Sequence, residues 1–359
     1  MKENREGSRS IFKRLLKNKG AFLGLIIISL SIFISVFAYF LAPDNSPNCN
    51  RMIPEIANQR PGFTMEFLRL KKERHSTNNS FFNTLLFGQE SNTQLIPIIA
   101  NEKNDSGYVI KKYIDEGVSE TLFFPFDKIM QPAIGKQTFY LGTDKFGRDI
   151  LSRILLGTRV SLAVGLIAVL LSLTVGVFLG AVAGYFGGRV DDFVLWLINV
   201  VWSIPTLLLV FAITLALGKG FWQVFVAVGL TLWVSVARLV RGQVLALKKL
   251  EYVEAAKVLG FSHTRTIIKH ILPNILGPVM VIAASNFASA IVIEAGLSFL
   301  GLGVQPPQPS WGLMIKENYN FIITNNPMLA LTPGIAIMLL VLAFNLLGNG
   351  LRDATDVTE

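Results

Sequence analysis

Six stretches without a charged residue decide what this chain can become: Gly20–Ala42, Val160–Gly188, Phe193–Gly218, Gly220–Ala237, Ile271–Ile293 and Pro327–Leu351. Each is about 18 residues or longer, and a helix needs about 20 to cross the roughly 30 Å hydrocarbon core. In lipid the backbone must satisfy its own hydrogen bonds, so these runs are expected to be helices. The reading is an all-α integral membrane fold with six transmembrane helices, at 20–42, 160–186, 193–217, 220–241, 275–297 and 328–349. Charged residues make up only 16% of the chain, far from the balance of a soluble domain. The first run is longer than a signal-peptide core, and Ala42-Pro43-Asp44 is a poor cleavage site, so it reads as a retained helix.

Basic residues in the short flanks set the orientation. Lys2, Arg5, Arg9, Lys13, Arg14, Lys17 and Lys19 put the N-terminus in the cytoplasm, and residues 1–19 read as an amphipathic arm with Ile11, Phe12, Leu15 and Leu16 on one face. Arg238, Arg241, Lys248, Lys249, Lys257, Arg265 and Lys269 fall between the fourth and fifth spans, also inside. Of these, Arg238 and Arg241 read as headgroup anchors. The tail, 352–359, is then cytoplasmic. The net charge of +9 expresses this bias and calls for no nucleic-acid partner.

Residues 43–140 form a polar, Asn-rich extracytoplasmic insertion, too long for a passive connector and of no legible fold. Residues 141–157, with Leu151, Ile154 and Leu155 beside Arg148 and Arg153, suggest an amphipathic helix on the outer surface. Cys49 is the one cysteine and has no partner for an internal disulfide.

The core, 158–351, carries two features besides its spans. Gly176, Gly180 and Gly184 recur every four residues on one helix face, a signal of close helix packing, either within the chain or against a second subunit. Gly187-Gly188 should then end the helix, with Arg189, Asp191 and Asp192 in a short inner turn. The segment 250–274 is a polar, helix-prone island. Gly260 permits a left-handed turn after Leu250–Leu259, Ser262 is a natural N-cap for a second short helix, and Pro273 follows that helix. Ala255 and Ala256 would keep one face flat for a partner's groove. His263 and His270 lack carboxylate or thiolate company and read as solvated positions.

Glu254-Ala255-Ala256, then Gly260, then Ile271-Leu272-Pro273 resembles the EAA signature of ABC importer permeases. Leu141–Arg153, Gly157–Leu162, Glu294–Pro307, Pro309-Ser310-Trp311-Gly312, Pro333-Gly334 and Phe344–Asp353 look like the C-type inner-membrane subunit of the dipeptide, oligopeptide and nickel importers. The resemblance covers the first span and most of 141–356. The chain departs from it at Asn349, where Asp is usual, at Val357, where Pro commonly follows Asp356, and in the length of its insertion.

The resemblance implies a type I importer transmembrane domain that docks two ABC ATPase subunits through Tyr252, Glu254, Ala255, Ala256, Gly260, Leu272 and Pro273. It also implies a second, B-type permease subunit, an extracytoplasmic substrate-binding protein and the bacterial inner membrane as the location. The chain itself is expected to be no enzyme and to bind no cofactor, with ATP and Mg held by the ATPases. Gly218-Lys219-Gly220 is not a phosphate-binding loop, because it ends in Gly and lies between spans. Peptide is the first expectation for the substrate and a nickel or other metal chelate the alternative. An ion-coupled secondary transporter is the competing class, and it would need carboxylates near the midplane, where the spans have none. Glu294, at the outer end of the fifth span, and Trp311, in a loop kinked by Gly301, Gly303, Pro306, Pro307 and Pro309, are candidates for a gate or an external contact, with Trp311 at headgroup level.

Overall fold

The computed structural model describes residues 13–72, 80–218, 220–322 and 326–355. Most of the predicted N-terminal arm, Lys219, and Asp356 and Val357 of the tail lie outside the described residues. In chain order the helices are α1 (Lys19–Val36), α2 (Ala38–Leu41), α3 (Phe81–Phe87), α4 (Ile150–Phe186), α5 (Gly188–Trp202) and α6 (Thr206–Leu217). They continue with α7 (Phe221–Leu247), α8 (Glu251–Val258), α9 (His263–Thr266), α10 (Leu276–Phe299), α11 (Trp311–Asn318) and α12 (Met328–Thr355). Among the described residues, five helical runs are long and apolar enough to cross a membrane, and a sixth span results if α5 and α6 count as one broken helix. The chain divides into two compact units, one of residues 1–32, 161–305 and 337–359, the other of 33–160 and 306–336.

In the first unit α7 is the hub, with Val224, Phe225, Val228, Val236, Val240 and Val244 wholly buried. The glycine seam of α4 lies against it. A Cβ on Gly180 would stand 2.5 Å from the Ala237 carbonyl, and one on Gly184 2.8 Å from that of Arg241. The seam thus meets α7 of the same chain. Asn286 of α10 is the buried polar tie, donating from Nδ2 to Ser172 Oγ of α4 (3.4 Å) and to the Leu232 carbonyl of α7 (3.3 Å). Such bonds hold spans together where no water competes. Phe287 of α10 stacks on Phe344 of α12, with ring centroids 3.9 Å apart.

Two departures from the expected spans have local causes. Gly187 and Gly188 adopt positive φ and separate α4 from α5 as expected, but Arg189, Asp191 and Asp192 belong to the first turns of α5 rather than to a turn. The run expected as one span over 193–217 is bent by 92° between α5 and α6. Pro205 sits at the bend: it has no N–H to continue the ladder, and its own backbone leaves helical geometry with ψ 127°.

In the second unit the insertion is a five-stranded antiparallel sheet: β1 (Phe63–Lys71), β2 (Thr93–Asn104), β3 (Gly107–Asp115), β4 (Val118–Pro125) and β5 (Ile129–Phe139), in the order β4-β3-β2-β1-β5. Strand β1 is paired on both edges, with Leu68 opposite Ile96 and Ile134. Leu68, Ile96, Ile98, Ile110 and Ile129 fill one face; Phe67 and Phe139 pack with Ile53 and Ile56 on the other. The segment 141–157 is not a separate surface helix. From Ile150 onward it is the beginning of α4, and Arg148 and Arg153 are 2% and 1% exposed.

Candidate functional site

The polar island folds into a stiff hairpin of helices. Helix α8 ends as the glycine implied: Gly260 takes φ +75°, its N–H donates to the Lys257 carbonyl (2.9 Å), and the Phe261 N–H donates to that of Ala256 (3.1 Å). This is the paired bonding of a Schellman cap, which a residue with a Cβ adopts only under strain. Ser262 then caps α9 by accepting from the Arg265 N–H, and the helical path continues through one π turn, Ile267–Ile271, and a 3₁₀ turn, Leu272–Ile275, into α10. Pro273 sits in that last turn, where its missing N–H costs little.

The inner face of the hairpin is anchored. Val253, Ile271 and Ile275 are at most 1% exposed and join Tyr185 of α4 and Val240 and Val244 of α7 in one cluster. Tyr185 Oη lies 3.0 Å from His263 Nδ1, so that histidine is held by α4 rather than simply solvated. Asn274 Nδ2 ties the two arms by donating to Tyr252 Oη (3.1 Å). The outer face carries Glu254, Ala255, Val258, Leu259 and Gly260. Ala256 points inward and is 3% exposed, so the flat face expected from both alanines is supplied by Ala255 alone. Nearby, Arg241 is no free headgroup anchor: its Nη2 donates to Asp191 Oδ2 at 2.6 Å. The Arg238 guanidinium sits 3.7 Å from the centre of the Trp202 ring.

Glu294 is wholly buried and accepts at Oε1 from Ser298 Oγ (2.6 Å), while Ser298 Oγ accepts from the Val304 N–H (3.2 Å). Gly303 is required there, since a Cβ would collide with Ser298. The pair locks the chain reversal after α10. Trp311 is 3% exposed, which corrects its expected seat at headgroup level. Its Nε1 donates to the Ile154 carbonyl (3.1 Å), and Gly157 leaves the slot that the indole fills. Beside it lies a charge cluster. Arg148 Nε donates to Asp144 Oδ2 (2.6 Å), Nη1 to Asn50 Oδ1 (3.2 Å) and Nη2 to Glu317 Oε2 (2.8 Å). Arg153 Nη2 shares Glu317 Oε2 at 3.5 Å.

Residues 176–356 match the family model described as "Binding-protein-dependent transport system inner membrane component". Residues 8–61 match the "N-terminal TM domain of oligopeptide transport permease C". The chain belongs to this family. It is a multi-pass inner-membrane permease subunit. Among its relatives, the glutathione transport system permease protein GsiD of Pectobacterium atrosepticum is 42% identical over 65% of this chain and 77% of its own length. The dipeptide permease DppC of Bacillus subtilis is 42% identical over 60% of this chain and 68% of its own, and the oligopeptide permease OppC of the same organism 40% identical over 60% and 71%. Among solved structures, the inward-facing methionine ABC transporter MetNI is 18% identical over 57% of this chain and 96% of that one, with a TM-score of 0.46.

Two features of the described residues are not legible in the sequence. Val258 and Leu259 are 87% and 72% exposed at the tip of α8, an apolar edge hidden within an apparently ordinary helix-forming stretch. The second is the Arg148 cluster: the sequence suggests an outer-surface amphipathic helix for Arg148 and Arg153, because the partner Glu317 lies 169 residues from Arg148.

Proposed function

We propose that this permease forms, with a second permease subunit, the translocation path of an ATP-driven importer of short peptides. Separate ATPase subunits grip the hairpin 250–274 on the cytoplasmic side, through Glu254, Ala255, Val258, Leu259 and the turn at Gly260, with Tyr252, Leu272 and Pro273 bracing it. The observation that carries this reading is the contrast between the two faces of α8: Val253 and Ala256 are buried, while Val258 and Leu259 are bare. An apolar edge so exposed, on a segment so firmly anchored, suits a groove on a partner. A push on it passes through Val253 and Ile271 to α4 and α7 and biases the spans between their two access states.

The named relatives carry dipeptides, oligopeptides or glutathione, which supports a peptide and lends nothing to the metal-chelate alternative. Selection among peptides rests with an extracytoplasmic binding protein. ATP and Mg belong to the ATPases in this scheme, and the sheet insertion lies outside the membrane.

Co-purification tests the docking. Glu254→Arg and Val258→Asp permeases are expected to insert normally, keep their thermal stability and lose the ATPase subunits. Recovery of the ATPases with both variants at the wild-type level would overturn the assignment. Competition of unlabelled dipeptides and of nickel chelate against labelled-dipeptide uptake decides the substrate class.

A further inference from the structure

Among the described residues of the insertion, one short helix is exposed in a way that does not suit water. In α3, Phe81, Phe82, Leu86 and Phe87 are 58%, 71%, 58% and 65% exposed, four of the seven residues of an otherwise short connecting helix. This helix is fastened to the end of the first span. Phe81 stacks on Phe40, which follows α1 and is itself 48% exposed, with centroids 5.3 Å apart. Gly88 takes φ +80° and presses against the Tyr39 ring and the Asn45 carbonyl, where no Cβ fits. Arg159 completes the joint. Its Nε and Nη2 donate to the Ser35 and Val36 carbonyls at the end of α1 (2.9 and 3.0 Å). Its Nη1 and Nη2 donate to the Leu86 and Leu85 carbonyls at the end of α3 (3.1 and 3.0 Å).

Helix-end carbonyls near water need no such service, since water supplies their partners; in the low-dielectric border of a bilayer they do. A single guanidinium that satisfies two helix ends at once allows both to sit at the hydrocarbon boundary. The bare phenylalanines continue the apolar surface of the first span through Phe33, Val36, Phe40 and Leu41, each more than 40% exposed. We propose that α3 is a lipid anchor: its Phe81, Phe82, Leu86 and Phe87 enter the acyl–headgroup boundary of the bilayer beside the first span and tie the sheet insertion to the membrane surface. That the leaflet is the outer one rests on the proposed orientation; the contact with lipid does not.

The test is spin-label accessibility in the whole transporter, reconstituted in phosphatidylcholine nanodiscs. Labels at Phe82→Cys and Phe87→Cys are compared with one at Glu102→Cys on β2. Cys49 is wholly buried, so it does not compete for label. Labels at 82 and 87 are expected to collide with oxygen several-fold more than with a neutral nickel chelate, with the reverse at 102. Chelate-dominated collisions at 82 and 87 would mean an aqueous helix, and loss of both would mean cover by a protein partner; either overturns the proposal. Two positions keep the result readable if one variant fails to fold. Because the readout measures neither ATP hydrolysis nor peptide uptake, it stands or falls apart from the coupling assignment.

Discussion

Arg148 and Glu317 meet at 2.8 Å although 169 residues separate them, and Arg153 leans on the same carboxylate oxygen from 3.5 Å. One acidic side chain on α11 thus serves two guanidinium groups that are almost wholly buried. Removing Glu317 leaves two buried cations to the single carboxylate of Asp144, 2.6 Å from Arg148 and 3.9 Å from Arg153, in a medium that solvates the surplus charge poorly. Glu317→Gln is expected to cost about 3–5 kcal/mol and to lower the Tm of the purified permease. Adding Arg153→Met should recover part of the loss, because it removes one stranded cation. An unchanged Tm in the single variant would show that the cluster is not closed as described.

The glycine seam predicts a graded packing loss. A side chain on Gly180 meets the Ala237 carbonyl and Val240, and neither α4 nor α7 can retreat without reopening the buried valine ridge. Gly180→Leu is expected to destabilise by at least about 1–3 kcal/mol, seen as a loss of the monodisperse peak in detergent. Gly242 on α7 has nothing within 4 Å of its would-be Cβ, so Gly242→Leu serves as the near-neutral control.

How much of this was legible in the sequence follows from which forces act locally. Absence of charge reports burial in lipid, so the spans could be read directly. It does not report backbone continuity, and so the run over 193–217 hid the bend at Pro205. Gly260 could be read because φ +75° is a property of one residue. Gly176, Gly180 and Gly184 announced a close approach but not its partner, which only the fold supplies. The sheet is not legible because β1 is covered on both faces, which erases the alternation of a half-buried strand, and because Pro97 stands within β2, where a proline argues against an interior strand. Arg148, Arg153 and Trp311 looked like interfacial residues for one reason. Their partners, Glu317 in the first two cases and the Gly157 slot in the third, are distant in sequence.

At Gly260 the expected damage is confined to the hairpin. Nothing lies within 4 Å of a Cβ there, so Gly260→Ala meets no steric clash and suffers only the left-handed backbone penalty, roughly 1–2 kcal/mol. The Tm of the permease should barely move, because the buried cluster around Val253 and Ile271 stays intact. Hydrogen exchange at residues 259–262 should quicken, and coupling to the ATPase should fall. A large drop in Tm would contradict a cap whose strain is local.

Asp149 gives a pH dependence of defined sign. Burial raises its carboxyl above the usual range, opposed by the bonds it accepts from the Ser152 N–H and Oγ. A carboxyl raised on folding binds its proton more tightly in the folded state. Its contribution is therefore most favourable below the unfolded value and declines as pH rises towards the folded one. Asp149→Asn keeps an acceptor for the Ser152 N–H without the buried charge. The variant is expected to gain stability relative to wild type as pH rises from about 4 to 7, the range above an ordinary aspartate's pKa. Parallel Tm–pH curves for the two proteins would rule this out.

Cys49 offers an internal reporter on the same unit. It is wholly buried beside Ala38, Tyr39, Ala42 and Leu156, and burial together with the negative charge of Asp44 pushes its thiol well above the usual range. The thiolate is the reactive form, so both access and ionisation oppose modification. Maleimide at neutral pH is expected to leave Cys49 unlabelled in the intact permease and to label it fully once detergent denaturation opens the second unit. Glu317→Gln loosens the Arg148 cluster, which lies in that unit, and should speed the labelling in step with its loss of Tm. Labelling of the wild-type thiol at the rate of a free cysteine peptide would mean that the pocket around Tyr39 and Leu156 is open, and that the cluster's contribution to the unit's stability has been misassigned.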